Sequence, residues 1–173
     1  MIDYAENISG VDMERIAILG ISFGGYLVPR AAAFDKRIKL CVANSGNISW
    51  GDMIGSAFKK MKKLPKFLRP SMIDGMIRDY AWKHGVENDI DAVIAELDKY
   101  SNADILDKIT CKVLVVDGTS EVNPGVAKKF YDALSCTKDY MLFDETSFAQ
   151  THTQMGGYGA GSERLFNWIE DNL

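Results

Sequence analysis

Short apolar runs bounded by turn residues alternate along the chain with longer stretches whose apolar residues recur at helical spacing. The runs are Ile16-Ala17-Ile18-Leu19, Ile38-Lys39-Leu40-Cys41-Val42-Ala43, Lys112-Val113-Leu114-Val115-Val116 and Tyr140-Met141-Leu142-Phe143. The first of these, short, continuous and apolar, fits a strand buried on both faces of a parallel sheet, and the other three are further strand candidates. Helical patterns are predicted over roughly residues 23–34, 125–135 and 161–172, the last with Leu165, Phe166 and Ile169 on one face. Strands alternating with helices predict an α/β fold with a mostly parallel sheet of about four strands and flanking helices.

The alternation breaks over about residues 52–106, where several helix-like patches occur without a convincing strand. This insertion is expected to be a helical cap over the carboxyl end of the sheet, with 1–51 and 107–173 forming the core. Within it, "FKKMKKLPKFLR" carries Lys59, Lys60, Lys62, Lys63, Lys66 and Arg69. Two readings stand side by side: a solvated face of a short helix broken near Pro65, or a cationic surface for an acidic substrate or partner. Met53, Met61, Met72 and Met76 with Trp50, Phe58, Phe67 and Trp82 either pack this region together or line an adaptable apolar pocket.

The first apolar run leads into Gly20-Ile21-Ser22-Phe23-Gly24-Gly25 and then a helical segment. A turn from strand to helix this tight strains the serine and crowds the backbone around it, which glycines two residues to either side relieve. The pattern G-x-S-x-G in that setting is a nucleophile elbow, with the Ser22 oxygen above the carboxyl end of the sheet. The Phe23 N–H, opening the helix, would point at an oxyanion formed beside Ser22. A glycine-rich phosphate-binding turn is the rival, but neither G-x-x-x-x-G-K-[ST] nor G-x-G-x-x-G is present.

A serine nucleophile needs a base, and the chain has only His84 and His152. His84 lies in "YAWKHGVEN" inside the insertion, where a structural histidine is the default. His152 lies in "SFAQTHTQMGG", between the last strand and the last helix, where a loop at the top of the sheet can return a side chain toward Ser22. The carboxylate that orients the base is Glu121, in "VVDGTSEVNP" after the third strand, or its rival Asp117, which ends that strand. Asp144 and Glu145 are more distant rivals.

Composition narrows the field. With 47% hydrophobic and 25% charged residues, 173 residues can bury one sizeable core. A net charge of -4 argues against nucleic acid as a partner. No apolar run is long enough for a membrane span and "MIDYAENISG" has no signal-peptide character, so a cytoplasmic location is expected. Cys41, Cys111 and Cys136 are odd in number and lie in or beside apolar segments, which suits reduced structural thiols. With two histidines and no clustered Cys/His spacing, no metal site and no cofactor are expected.

The stretch "VDMERIAILGISFGGYLVPRAAAFDKRIKLCVANSG" resembles the elbow region of α/β-hydrolases of the dipeptidyl-aminopeptidase/acylaminoacyl-peptidase-like branch. "ITCKVLVVDGTSEVNP" and "FAQTHTQMGG…LFNWIEDNL" resemble that family's acid and histidine regions, and the insertion falls where the family has its cap. The resemblance implies Ser22 as nucleophile, His152 as base, Glu121 as acid, in the family's chain order, and the Phe23 N–H as one oxyanion donor. The family usually has aspartate where Glu121 stands. It also carries several strands ahead of the elbow, including a loop that supplies the second oxyanion N–H, whereas only "MIDYAENISGVDME" precedes "RIAILG". The expectation is therefore the C-terminal half of such a hydrolase.

The activity this implies is hydrolysis of an ester, amide or acyl-peptide bond in a small-molecule or peptide substrate through an acyl-enzyme. Carbon–carbon cleavage with the same triad is one alternative. Another is a weakly active or inactive half-domain that serves as an interaction module. Because Ile16–Leu19 would lack its upstream neighbour here and present an open, apolar edge, a homo-oligomer, or a complementing N-terminal half, is the expected partner.

Overall fold

The structure is a computed structural model that describes residues 1–173. In chain order its elements are α1 (Ile2–Ala5), β1 (Ile16–Ile21), α2 (Phe23–Phe34), β2 (Ile38–Asn44), α3 (Ser56–Lys62), α4 (Ser71–His84), α5 (Ile90–Leu97), β3 (Lys112–Gly118), α6 (Val126–Ala133), β4 (Lys138–Phe143) and α7 (Tyr158–Asn172). The four strands form one sheet in the order β1-β2-β3-β4, and every pairing is parallel. The fold is thus α/β with a four-stranded parallel sheet. Parallel neighbours cannot be joined by a tight turn, so a helical crossover separates each strand from the next.

Burial follows position in the sheet. Along β2 and β3 every residue except Lys39 and Lys112 is buried, as expected of central strands covered on both faces. β1 differs from its expectation: its apolar run is only half-buried, with Leu19 36% and Ile21 43% exposed, because β1 is an edge strand of the sheet.

The contacts divide the chain into two compact units, Met1–Asn47 with Asp104–Leu173, and Ile48–Ala103. In the first, Val42, Leu114, Val116, Phe143, Ala149 and Leu165 form a core on which Trp168 and Ile169 of α7 pack. α2 turns Tyr26, Val28, Ala32 and Ala33 inward, and α6 contributes Ala127 and the fully buried Phe130. α7 starts earlier than its apolar pattern predicts, since Tyr158-Gly159-Ala160 form a first turn with no buried residue to mark it.

The second unit begins a few residues before the insertion read from the sequence. A π-helical turn, Gly51–Gly55, runs into α3. α4 ends at Gly85, whose φ of 65° suits a residue without Cβ. α5 starts at Asp89, whose carboxylate accepts from the Asp91 and Ala92 N–H groups. Two of the clustered cations are committed within this unit, Lys59 to Asp98 and Lys62 to Asp91. Of the large apolar side chains here, Trp50, Met53 and Phe58 are buried, whereas Phe67, Met72 and Trp82 are exposed.

The crossing of β1 and α2 depends on a missing side chain. A Cβ on Gly20 would stand 2.1 Å from the Gly24 carbonyl oxygen and 2.7 Å from Val28 Cγ1. Backbone cannot yield as a flexible side chain can, so Gly20→Ala must push α2 away from β1. We expect it to lower the melting temperature by roughly 10 °C or more, whereas Gly24→Ala, whose Cβ meets nothing within 4 Å, is tolerated. Differential scanning fluorimetry of the two variants compares them directly.

Candidate functional site

Ser22 lies between the end of β1 and the start of α2 with φ 58° and ψ −114°, a conformation that few non-glycine residues adopt. Two hydrogen bonds hold it there: its N–H donates to the Asn44 carbonyl at 2.5 Å, and its carbonyl accepts from the Gly25 N–H at 2.9 Å. The glycine pairing differs from the expected one. Gly20 is required, but on the helix side the close approach is at Gly25, where a Cβ would lie 2.5 Å from the Ser45 carbonyl oxygen; at Gly24 the space is open. The reason is direction along the helix: Gly25 faces the end of β2, and Gly24 does not.

The loops after β3 and β4 are zipped together. The Ser120 N–H donates to the Gln150 carbonyl at 3.0 Å, and Ser120 and Thr151 form an isolated parallel bridge. Gly118 permits the approach, since a Cβ there would stand 2.1 Å from the Gln150 carbonyl oxygen. This zipper brings Glu121 beside His152. His152 Nδ1 lies 2.8 Å from Glu121 Oε2, and His152 Nε2 lies 3.0 Å from Ser22 Oγ. A carboxylate only accepts, so Nδ1–H donates to Glu121, and Nε2 is left to accept from the Ser22 hydroxyl. Glu121 is buried while His152 is partly exposed. The hydrogen bond it donates to Glu121 raises the His152 pKa above its ordinary value, against the opposing effect of burial.

The other sequence candidates are engaged elsewhere. Asp117 accepts from the Tyr140 hydroxyl at 2.5 Å and from the Gly118 N–H at 2.8 Å. Burial raises its pKa, which these two bonds partly offset. Asp144 accepts from the Thr146 N–H and hydroxyl, and Glu145 accepts from Thr119 Oγ1. His84 belongs to the second unit, where its Nδ1 lies 3.1 Å from the Tyr100 hydroxyl and its ring stacks on Tyr80. Phe23 is the first residue of α2, so its N–H sits at the positive end of that helix. An open cleft of about 530 Å³ beside His152 is lined by Ser120, Val122, Thr151, Met155 and Gly156. No group of three or more His, Cys, Asp or Glu residues is placed to hold a metal ion. No helix is long and apolar enough to cross a membrane.

Two buried residues at this site are barely marked in the sequence. Asn44, 1% exposed, ends β2, and Gln154, 3% exposed, follows His152 by two positions. Their side-chain amides bond to each other, with Asn44 Nδ2 donating to Gln154 Oε1 at 2.6 Å and Gln154 Nε2 donating to Asn44 Oδ1 at 3.3 Å. A polar residue closing an apolar strand is the one available hint, and it cannot name a partner 110 positions away.

No family model matches the chain. Among curated proteins, it is 23% identical to the alpha/beta hydrolase psoB of Aspergillus fumigatus over 94% of its own length and 43% of that protein's. Among solved structures, it superposes on a 2,6-dihydroxy-pseudo-oxynicotine hydrolase with a TM-score of 0.71 and 16% identity, over 99% of this chain and 44% of that one. An acetyl xylan esterase from Paenibacillus sp. R4 gives a TM-score of 0.63 and 20% identity over 99% of this chain and 50% of that one. The chain therefore has the fold of the α/β-hydrolases, and it spans under half the length of the curated relatives it matches.

Proposed function

We propose that this chain, with its α/β-hydrolase fold, is a serine hydrolase that cleaves an ester, amide or acyl-peptide bond. The observation that carries the reading is the hydrogen-bonded series Ser22–His152–Glu121 at the carboxyl ends of the parallel strands. The hydrolases and the esterase among the similar proteins support the same class. Ser22 Oγ attacks the carbonyl carbon while Nε2 of His152 takes the hydroxyl proton, and Glu121 stabilises the imidazolium so formed. The Phe23 N–H donates to the tetrahedral oxyanion. Collapse of that intermediate passes the proton from Nε2 to the leaving group, and an acyl-enzyme remains. His152 then deprotonates a water that attacks the acyl carbon, and Ser22 leaves with its proton restored. The same three groups would serve carbon–carbon cleavage, in which the leaving group is a carbanion that takes the proton. The three free cysteines fit a reducing, cytoplasmic setting.

Labelling by a fluorophosphonate, with its pH dependence, tests the reading. The base works only as neutral imidazole, and Glu121 raises the pKa at which that form is lost. Labelling should therefore slow as pH falls, with a midpoint above the ordinary histidine value of 6.5. Glu121→Gln should slow labelling by about 10²- to 10⁴-fold and move that midpoint to lower pH. Asp117→Asn should leave the midpoint in place. A midpoint that follows Asp117 and ignores Glu121 would reassign the acid.

A second reading, favoured by the edge position of β1, is an interaction module that pairs with another strand along that edge.

A further inference from the structure

His152 sits in a loop that is costly to hold. The two residues after it, Thr153 and Gln154, have φ of 56° and 60°, consecutive non-glycine residues in the left-handed region. Backbone bonds around the turn are local, running from Gln154 N–H to the Thr151 carbonyl and from Met155 N–H to that of His152. They shape the loop without relating it to Ser22. Besides the Ser120–Gln150 zipper, which ties the loop to the end of β3, the longer-range tie is the Gln154 side chain. Its amide makes the reciprocal pair with Asn44, and its stem is seated against α7 where a Cβ on Gly161 would stand 2.8 Å from Gln154 Cβ. Asn44 in turn lies opposite Ile21 in the β1–β2 register, and its carbonyl accepts from the Ser22 N–H. One residue thus fixes the nucleophile through its backbone and the histidine loop through its side chain.

We infer that the Asn44–Gln154 amide pair is a positioning element that holds His152 Nε2 at hydrogen-bonding distance from Ser22 Oγ, a role that rests on the serine-hydrolase reading above. Both amides are buried and each satisfies the other, so the pair has a defined geometry that an apolar contact lacks. A displacement of about 1 Å between reacting groups can cost on the order of 10²-fold in rate.

The test compares Gln154→Met with the double variant Asn44→Leu/Gln154→Met. On p-nitrophenyl acetate, Gln154→Met should lower kcat by roughly 10- to 100-fold with KM changed less than about twofold. Its melting temperature should fall too, because Asn44 keeps a buried amide without a partner. In the double variant both polar groups are gone, so the melting temperature should return toward wild type while kcat stays low. Recovery of kcat along with stability would overturn the proposal. Should the single variant not fold, the double variant against wild type makes the same decision. NMR titration of ¹⁵N-histidine-labelled protein gives a readout that needs no turnover. The raised His152 pKa should drop toward its ordinary value in both variants as the contact with Glu121 loosens. An unchanged His152 titration overturns the positioning role, whereas a wild-type chain that neither labels nor turns over ester instead overturns the assignment of Ser22.

Discussion

Ser22→Ala is expected to abolish fluorophosphonate labelling and to lower ester turnover by roughly 10⁴-fold, or to the solvent background. Its melting temperature should barely move. The hydroxyl makes one side-chain hydrogen bond, to the partly exposed His152, and alanine keeps the same strained backbone at φ 58°. Ser22→Gly supplies a contrast, since glycine occupies that region without steric cost and should be as inactive as alanine yet more stable. His152→Ala should lose nearly as much activity as Ser22→Ala, and the double variant little more, because the hydroxyl and its base act as one unit. His84→Ala, in the other unit beside Tyr80 and Tyr100, should leave turnover near wild type. Turnover that persists in Ser22→Ala would place the nucleophile elsewhere, and equal small losses from both histidines would do the same for the base.

What could be read in the sequence was whatever depends on local pattern. β2 and β3 announce themselves because a strand covered on both faces is apolar along most of its length, and the bounds of α2 are set by Ser22 and Asp35 on either side of a helical stretch. The same pattern marks β1 as a strand, and the open edge expected of it is what the strand order shows; only its faces, half-buried, fall short of the reading. The glycine signature was half legible: Gly20 is demanded by a contact four residues away, but the demand at Gly25 comes from Ser45 across the sheet. The proximity of Glu121 to His152 rests on the Ser120–Gln150 bond and the space left by Gly118, and the Asn44–Gln154 pair rests on the end of β2 meeting the loop after β4 across 110 positions. Both are products of the assembled sheet, and no segment of sequence contains them.

The exposed edge carries the last prediction. β1 offers a row of N–H and C=O groups that pairs with no strand of this chain, and Ile-Ala-Ile-Leu-Gly-Ile supplies neither the charge nor the proline that protects natural edges. Apolar side chains crowd the same margin: Leu19 and Ile21 share a groove with Tyr158 and Phe166 of α7, the last two 61% and 59% exposed. An isologous pairing would join β1 to its copy in antiparallel register and cover both grooves at once. A strand-bearing complementing fragment would cover the same edge with one partner. We therefore expect the chain alone to self-associate, and light scattering after size exclusion should give a mass above the 19.2 kDa of one copy at micromolar concentration. Ile18→Lys should disrupt the association, as a charge on the paired strand must be desolvated to dock, whereas Asn167→Lys on the exposed side of α7 should not. A well-behaved wild-type monomer at that concentration would show that β1 is protected by something its sequence does not reveal, and the partner proposal would fall with it.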